Sequence, residues 1–450
     1  MTQQGVRWTA DQVLALAPDA GSRKAGSELG AAGHWSGTGR SDEGAVWGRC
    51  EGSGGVPYRT VVDLADAAGP AYLCGCPSPK SPCEHALGLL LLWAGEDGAV
   101  PWGQAPDWAE RWLEERGRRA RERRSADGSG SGASADPEAA RRRAERRAER
   151  ITAGAAELEQ RLADVLRGGL ATAERAGSAL WEETAARMVD AQAPGLATRV
   201  RELGAIPASG PGWPVRLLEE CALLHLLTQA WPRRALLPKE TAATVRSRIG
   251  LPGSPDGPPV HDHWLVLAQY DTADSRLTTR RIWLYGAESD RTALLLSYGA
   301  AGRAPELALP VGLAFEAELS AYPGAGRLRA SLGERFTAPA PTGIRPPGTS
   351  TERAAARYGE ALREDPWLDS FPVTLDRVVP TPSEDAWQLA DADGDTALPL
   401  TAAATARPGL WRLAALSGGA PVTVFGECGH RGFTPLTAWP EGAGEAVPLC

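Results

Sequence analysis

Hydrophobic and polar positions follow three different rhythms along the chain. Between residues 45 and 64 they alternate. Residues 45–51 and 57–64 read as two strands, with Tyr58, Thr60 and Val62 on one face, and Gly52, Ser53, Gly54 and Gly55 supply the turn of a hairpin. A short apolar strand, Ala71, Tyr72 and Leu73, comes next, and then an oily run from Leu87 to Trp93. That run is apolar nearly all round, so its helix must be covered on more than one side. The expected cover is the following helix, opened by Asp107 and Glu110, which places Trp108 and Trp112 on one face. At helical spacing these tryptophans read as core rather than as a base-stacking platform. Ahead of the hairpin the pattern predicts one short helix at 10–16 and otherwise an irregular approach through His34, Trp35 and Gly39.

The second rhythm is helical. Ile151, Ala155, Leu158, Leu162, Val165 and Leu166 recur at helix spacing, and the signal continues through 180–190 and 217–231, which predicts a helical domain over 138–250. After Pro258 and Pro259 the period changes to two. Strands are expected at 264–270, 280–285, 292–297, 314–320 and 327–331, then a proline-rich joint at 338–348, a helix at 352–362, and strands at 371–377, 387–391, 411–416 and 422–425. The expected fold class is therefore α+β multidomain: an N-terminal ββα unit, a central helical domain and C-terminal antiparallel β modules. The expected divisions are an N-terminal region at 1–125 with its core at 45–95, a Gly/Ser linker at 126–137, the helical domain at 138–250, a β domain at 255–337, a joint and helix at 338–365, and a second β module at 366–450.

At 450 residues, 23% of them charged, the chain has room for two to four independent cores. A net charge of −8 argues against a general nucleic-acid coat. Arginine clusters at 118–124 and 141–147 could track phosphates, but Glu122, Glu145 and Glu149 interleave with them as on a solvated helix face. Seven cysteines, three of them in one cluster, give no even disulfide framework, so a reducing cytoplasm is expected. The first residues lack the basic-then-apolar order of a signal peptide, and the apolar run at 86–94 is too short to span a bilayer.

The strongest chemical signal lies where the two N-terminal patterns meet. Cys74, Cys76, Cys83 and His85 fall within twelve residues, between the short strand and the oily helix. Thiolate and imidazole in a set of four suit tetrahedral zinc, and a closed set leaves no position for reactive water, so the expected role is structural. A CxC redox pair is the competing reading, but it leaves Cys83 and His85 without a purpose. Ser81 as N-cap and Pro82 at the first helical position would set Cys83 near the helix start, where the dipole favours a thiolate. Residues two apart on a regular helix diverge, so Cys83 has to sit at a not-yet-regular entry for His85 to reach the same ion. Cys50 is read as a small buried thiol, because a fifth ligand would exceed tetrahedral zinc.

Cys74-x-Cys76-x6-Cys83-x-His85, with strands before it and a leucine-rich helix after it, resembles the SWIM-type zinc finger. The resemblance implies one zinc held by Cys74, Cys76, Cys83 and His85 in a ββα unit that interacts with protein or DNA. Over the rest of the chain, including residues 186–196, the layout resembles long bacterial SWIM-finger proteins. Some of these are associated with AAA+ ATPases and von Willebrand A-domain proteins, which implies an adaptor role.

Three further constellations carry weaker signals. His261 and His263 share a strand face around Asp262 with no third ligand nearby; Cys428 and His430 repeat only half of the cluster; Asp391, Asp393 and Asp395 lack the glycine placement and the glutamate of a calcium loop, and read as a hairpin turn. No phosphate loop, nucleophile elbow, HExxH helix or dinucleotide fingerprint is present, so no catalytic function is expected. Between Tyr72 and Trp93 the only lysine or arginine is Lys80, which favours protein partners over DNA, with DNA binding through the finger and the Arg-rich helices as the alternative.

Overall fold

The computed structural model describes residues 8–450 except 43, 52–54, 65–69, 96–97, 128–136, 252, 274–276, 301–304, 306, 384–385 and 443. Residues 128–136 of the expected linker and most of the expected hairpin turn lie outside the described residues.

The N-terminal unit is built on a four-stranded antiparallel meander of β1 (Trp35–Arg40), β2 (Ala45–Cys50), β3 (Tyr58–Asp63) and β4 (Ala71–Cys74), paired in chain order. Period-two alternation sends Val46 and Val62 to one face and Ala45, Trp47 and Val61 to the other, and both faces are buried. On the first face lies α3 (Glu84–Ala94), the oily helix. Its other sides are covered by α1 (Ala10–Leu14), where a short helix is expected, and by α2 (Ala20–Glu28), in the segment that the sequence pattern presents as an irregular approach. Thr9 caps α1 in a reciprocal capping box with Gln12, and Asp19 caps α2. Helix α2 offers almost no large apolar side chain. It packs instead by close approach: a Cβ on Gly26 would stand 2.7 Å from Leu87 Cβ, and one on Gly88 would stand 2.6 Å from Leu29 Cβ. Similarly, β1 is rich in glycine because Gly39 lies against the Trp47 ring, where a Cβ would come within 2.5 Å.

Helix α4 (Asp107–Asp127) does not cover α3 as expected. It lies on the opposite face of the sheet, where half-buried Trp108 and Trp112 join Trp47 and Val61, so they do serve as core. The simple ββα unit is thus enlarged by two strands and by helices on both faces.

The helical region comprises α5 (Pro137–Gly168), α6 (Leu170–Asp190), α7 (Pro194–Ala205), α8 (Trp213–Arg233) and α9 (Lys239–Ile249). Its core includes Ile151, Leu158, Trp181, Met188, Val200, Leu224 and Trp231. Gly250, at φ +100°, ends α9 in the left-handed conformation and lies against Pro194, where a Cβ would meet the ring at 2.6 Å. No helix among the described residues is long and apolar enough to cross a membrane.

Next comes a sheet of β5 (Val260–Ala273), β6 (Leu277–Gly286), β7 (Arg291–Ala300), β8 (Leu313–Ala321), β9 (Arg329–Arg335) and β10 (Ala340–Pro341). Because β9 pairs with both β7 and β8, five of these strands close on themselves as a small barrel. The pairing of β7 with β9 is parallel, a departure from the all-antiparallel expectation that the intervening β8 makes possible. Trp264, Val266, Ile282 and Leu284 point inward, while Leu265, Leu267, Trp283 and Tyr285 point outward.

After α10 (Thr351–Glu364), the last sheet contains β11 (Ser370–Ser383), β12 (Ala386–Asp391), β13 (Ala397–Pro399), β14 (Val422–Gly429), β15 (Gly432–Pro440) and β16 (Val447–Pro448), with α11 (Ala402–Thr405) and α12 (Gly409–Ser417) inserted after β13. Residues 411–416, read as a strand, are helical. Leu410 and Leu413, three apart, both enter the core, Trp411 is exposed, and Gly418 at φ +52° closes the helix.

The outward face of the barrel meets this sheet in a shared layer of Leu265, Leu267, Trp283, Phe425, Leu436 and Trp439. Each large side chain removed from water there contributes about 1.5–3 kcal/mol. Glu427 spans the junction, accepting from Tyr270 OH at 2.6 Å, from Trp283 Nε1 at 2.8 Å and from Ser370 Oγ at 3.2 Å. The N-terminal unit also rests on the barrel: Leu313 enters its core, and Gln12 Nε2 donates to Val311 O at 3.1 Å.

Candidate metal centre

Cys74 ends β4, Cys76 follows on the loop, and Cys83 and His85 lie at the entry to α3. The structure brings one donor atom of each within 4.8 Å of all the others. Donors at about 2.0–2.3 Å from a tetrahedral zinc sit under 4 Å apart, so a small contraction would seat the ion. The helix cap differs from the expectation. Cys83 itself is the N-cap, at φ −78° and ψ 170°, and Glu84 is the first helical residue, while Ser81 and Pro82 remain in the loop, joined by a cis peptide bond. The extended backbone at Cys83 meets the geometric requirement that Cys83 and His85 reach one point.

His85 is buried. Its Nδ1 has no hydrogen-bond partner, the Glu84 carboxylate stands 3.6 Å from that nitrogen, and the Tyr58 ring packs edge-on against the imidazole with centroids 5.0 Å apart. A buried nitrogen without a hydrogen-bond partner is a polar group that the chain itself leaves unsatisfied.

The thiols show the same need. A hydrogen bond from the Cys83 thiol, then, against the cost of burial, bonds from His85 and from Thr60 Oγ1 at 3.3 Å, hold Cys74 as a thiolate with its pKa down at about 3. Cys83 is pushed far above the ordinary thiol range, first because it donates to that thiolate and then by burial; burial likewise pushes Cys76 up, and the bond to Cys74 pushes His85 up. A dipositive ion would take the place of the thiol protons and supply the charge that three thiolates require. The donor set therefore fits zinc, with Cys74, Cys76, Cys83 and His85 holding it. Cys50 is fully buried nearby with its pKa raised to about 11, chiefly by desolvation, and it stands outside the group of four.

Asp19 and Ser22 matter to this site and are not singled out by sequence. Asp19 accepts from Ser22 N at 2.7 Å and sits 2.9 Å from Lys80 Nζ, and Lys80 also donates to Ser22 Oγ at 3.3 Å. The loop between the cysteine pairs is thereby tied to the start of α2. The signal was an aspartate three residues before a serine at a helix start, hidden because α2 itself went unrecognised.

The weaker constellations disperse. His261 pairs with Glu316 at 2.9 Å and His263 with Glu288 at 3.4 Å, whereas Asp262 is buried and caps a turn through Glu288 N and Ser289 N. Cys428 is a core thiol and His430 lies 3.4 Å from Tyr358 OH. Asp391 holds Thr351 and Thr396, and Asp393 pairs with Arg377 across the turn that joins β12 to β13.

Residues 146–249 match the SWIM-associated four-helix bundle domain. In the structure that span runs from within α5 to the end of α9. The chain thus combines a helical segment similar to the SWIM-associated bundle with a Cys3His cluster compatible with one metal ion. No curated protein and no solved structure matches the chain.

Proposed function

We propose that this protein is a zinc-dependent, non-catalytic interaction protein in which the N-terminal unit is a SWIM-type finger holding one structural zinc through Cys74, Cys76, Cys83 and His85. Its partners are proteins, and an AAA+ ATPase system, with von Willebrand A-domain proteins, is the adaptor setting that the family resemblance favours. The observation that carries this reading is the fate of Lys80. It is the only lysine or arginine between Tyr72 and Trp93, and its ammonium is held by Asp19 and Ser22. A finger that reads DNA needs cations free to meet phosphates. The SWIM-associated bundle behind it supports the same family context.

DNA binding is the second reading. It rests on exposed Arg141, Arg142, Arg143 and Arg146 in α5, although Arg141 and Arg142 pair with Glu145 and Glu138.

Two measurements separate the readings. Duplex binding through several phosphates should fall by orders of magnitude between roughly 50 and 200 mM salt; the proposal expects only weak, sequence-blind binding. Affinity capture from native lysate, comparing wild type with Cys83→Ser, should recover partner proteins with the wild type alone. A clear consensus from a random oligonucleotide pool would reverse the assignment.

A further inference from the structure

The side of α8 facing away from the bundle core is apolar at helical spacing. Val215, Leu218 and Leu226 are 62%, 48% and 43% exposed, and exposed Ala222 lies among them in the same row. Steps of three, four and four keep these residues on one side of the helix. The opposite side, with Leu217, Cys221, Leu224, Leu227 and Trp231, is already buried in the bundle. So α8 has two apolar faces, and the fold uses one. The surface extends onto α5, which runs antiparallel to α8: Thr152 bonds Trp231, and Glu159 bonds His225 and Thr228. That register carries Leu166, 41% exposed, towards the Leu218 end.

The pattern around Ala222 complements itself. If a second α8 lies antiparallel with Ala222 opposite Ala222, then Leu218 comes opposite Leu226, Glu219 opposite His225 and Val215 opposite Gln229. Leu218 meets Leu226 on both sides of the axis, and the small Ala222 side chain sits on the axis itself, where helices 8–10 Å apart need it. The polar pair also fits. Only the Nδ1 of exposed His225 is taken, by Glu159 Oε1 at 2.5 Å, and Glu219 has no hydrogen bond or ion pair within the chain among the described residues.

We propose that α8 is an interface through which two copies of this chain pair, antiparallel about Ala222. One helix face about 30 Å long covers less than the roughly 800 Å² per partner of a standard interface, so the pairing is a reversible equilibrium. It involves none of the metal-site residues and stands apart from the zinc reading.

Sedimentation equilibrium on the full zinc-loaded chain tests this. The wild type should show a concentration-dependent monomer–dimer equilibrium, and Leu218→Glu should weaken it at least roughly tenfold with an unchanged circular dichroism spectrum. Geometry is tested separately, in a Cys450→Ser background that removes the exposed native thiol. Ala222→Cys should cross-link to itself under mild oxidation, whereas Leu218→Cys should cross-link only when mixed with Leu226→Cys. A chain monomeric at every concentration, a dimer indifferent to Leu218→Glu, or a dimer in which Ala222→Cys fails to link would each overturn the proposal.

Discussion

Lys80 Nζ stands 2.9 Å from the Asp19 carboxylate, so the loop that separates the two cysteine-containing pairs is fastened to the first turn of α2. Asp19→Ala should remove both the helix cap and this tie, at a cost of about 1 kcal/mol at most for so exposed a pair. The bond from Ser22 N, and then Lys80, holds the Asp19 carboxyl at about 2, below its ordinary value. A lowered folded-state pKa means that the stabilisation is fully present above the ordinary carboxylate range and fades as pH falls towards about 2. Denaturation midpoints of wild type and Asp19→Ala should therefore differ by a constant amount from neutral pH to about 5 and converge only below about 4. Protonation of the metal site affects both chains alike and cancels in the difference.

Purified under reducing, chelator-free conditions, the chain should contain one zinc, and Cys83→Ser should contain none. Structural zinc contributes on the order of 10–16 kcal/mol in small domains, so its loss should open the N-terminal unit. New proteolytic cuts are expected between Leu64 and Trp102, with the helical region still resistant. Because Leu313 lies in the N-terminal core, amide exchange should also rise around Leu313 in the variant. Identical digestion patterns for the two proteins would show that metal does not hold this unit together.

Close glycine contacts between α2 and α3 give a third test. Gly88→Ala puts a Cβ 2.6 Å from Leu29 Cβ and 3.1 Å from Leu29 O, so the helices must separate, at about 1–3 kcal/mol. Gly33→Ala meets nothing within 4 Å and serves as the control. Thermal melts should show a clear loss of stability for Gly88→Ala and little change for Gly33→Ala.

Glu427→Ala should leave Tyr270 OH and Trp283 Nε1 without their acceptor at the junction of the barrel and the last sheet. Two orphaned donors cost about 2–4 kcal/mol together. The barrel and the last sheet share a core, so tryptophan fluorescence and far-ultraviolet circular dichroism should report one coincident, down-shifted transition. Separate transitions for the two sheets would show that the shared layer does not couple them.

The chemistry of the N-terminal unit was legible because Cys74, Cys76, Cys83 and His85 carry their meaning in spacing alone, and the structure gathers them. The barrel strands were legible as short apolar runs bounded by Gly and Asp turns, and Trp264 to Leu267 is apolar throughout because both faces of β5 are buried there. Helix α2 was not, because it packs through Gly26 rather than through an apolar stripe, and periodicity cannot register a missing side chain. Residues 411–416 misled because Trp411 and Leu413 alternate as in a strand, whereas Leu410, Leu413 and Leu416 meet the core at helical spacing and Trp411 is exposed. The destination of Trp108 and Trp112 was ambiguous because a sheet with two buried faces offers a second surface that a one-dimensional pattern does not show.

The seat of the N-terminal unit on the barrel has a consequence in time. Gln12 and Val311, which bond across that junction, are 299 positions apart. At roughly 5–20 residues per second, a ribosome needs about 15–60 s to deliver the second after the first. During that interval the N-terminal unit can take up metal and form its sheet, but the surface that will receive Leu313 has nothing to cover it. A newborn chain therefore carries, beside its gathered cysteines and histidine, an apolar patch that stays open to water until the barrel arrives.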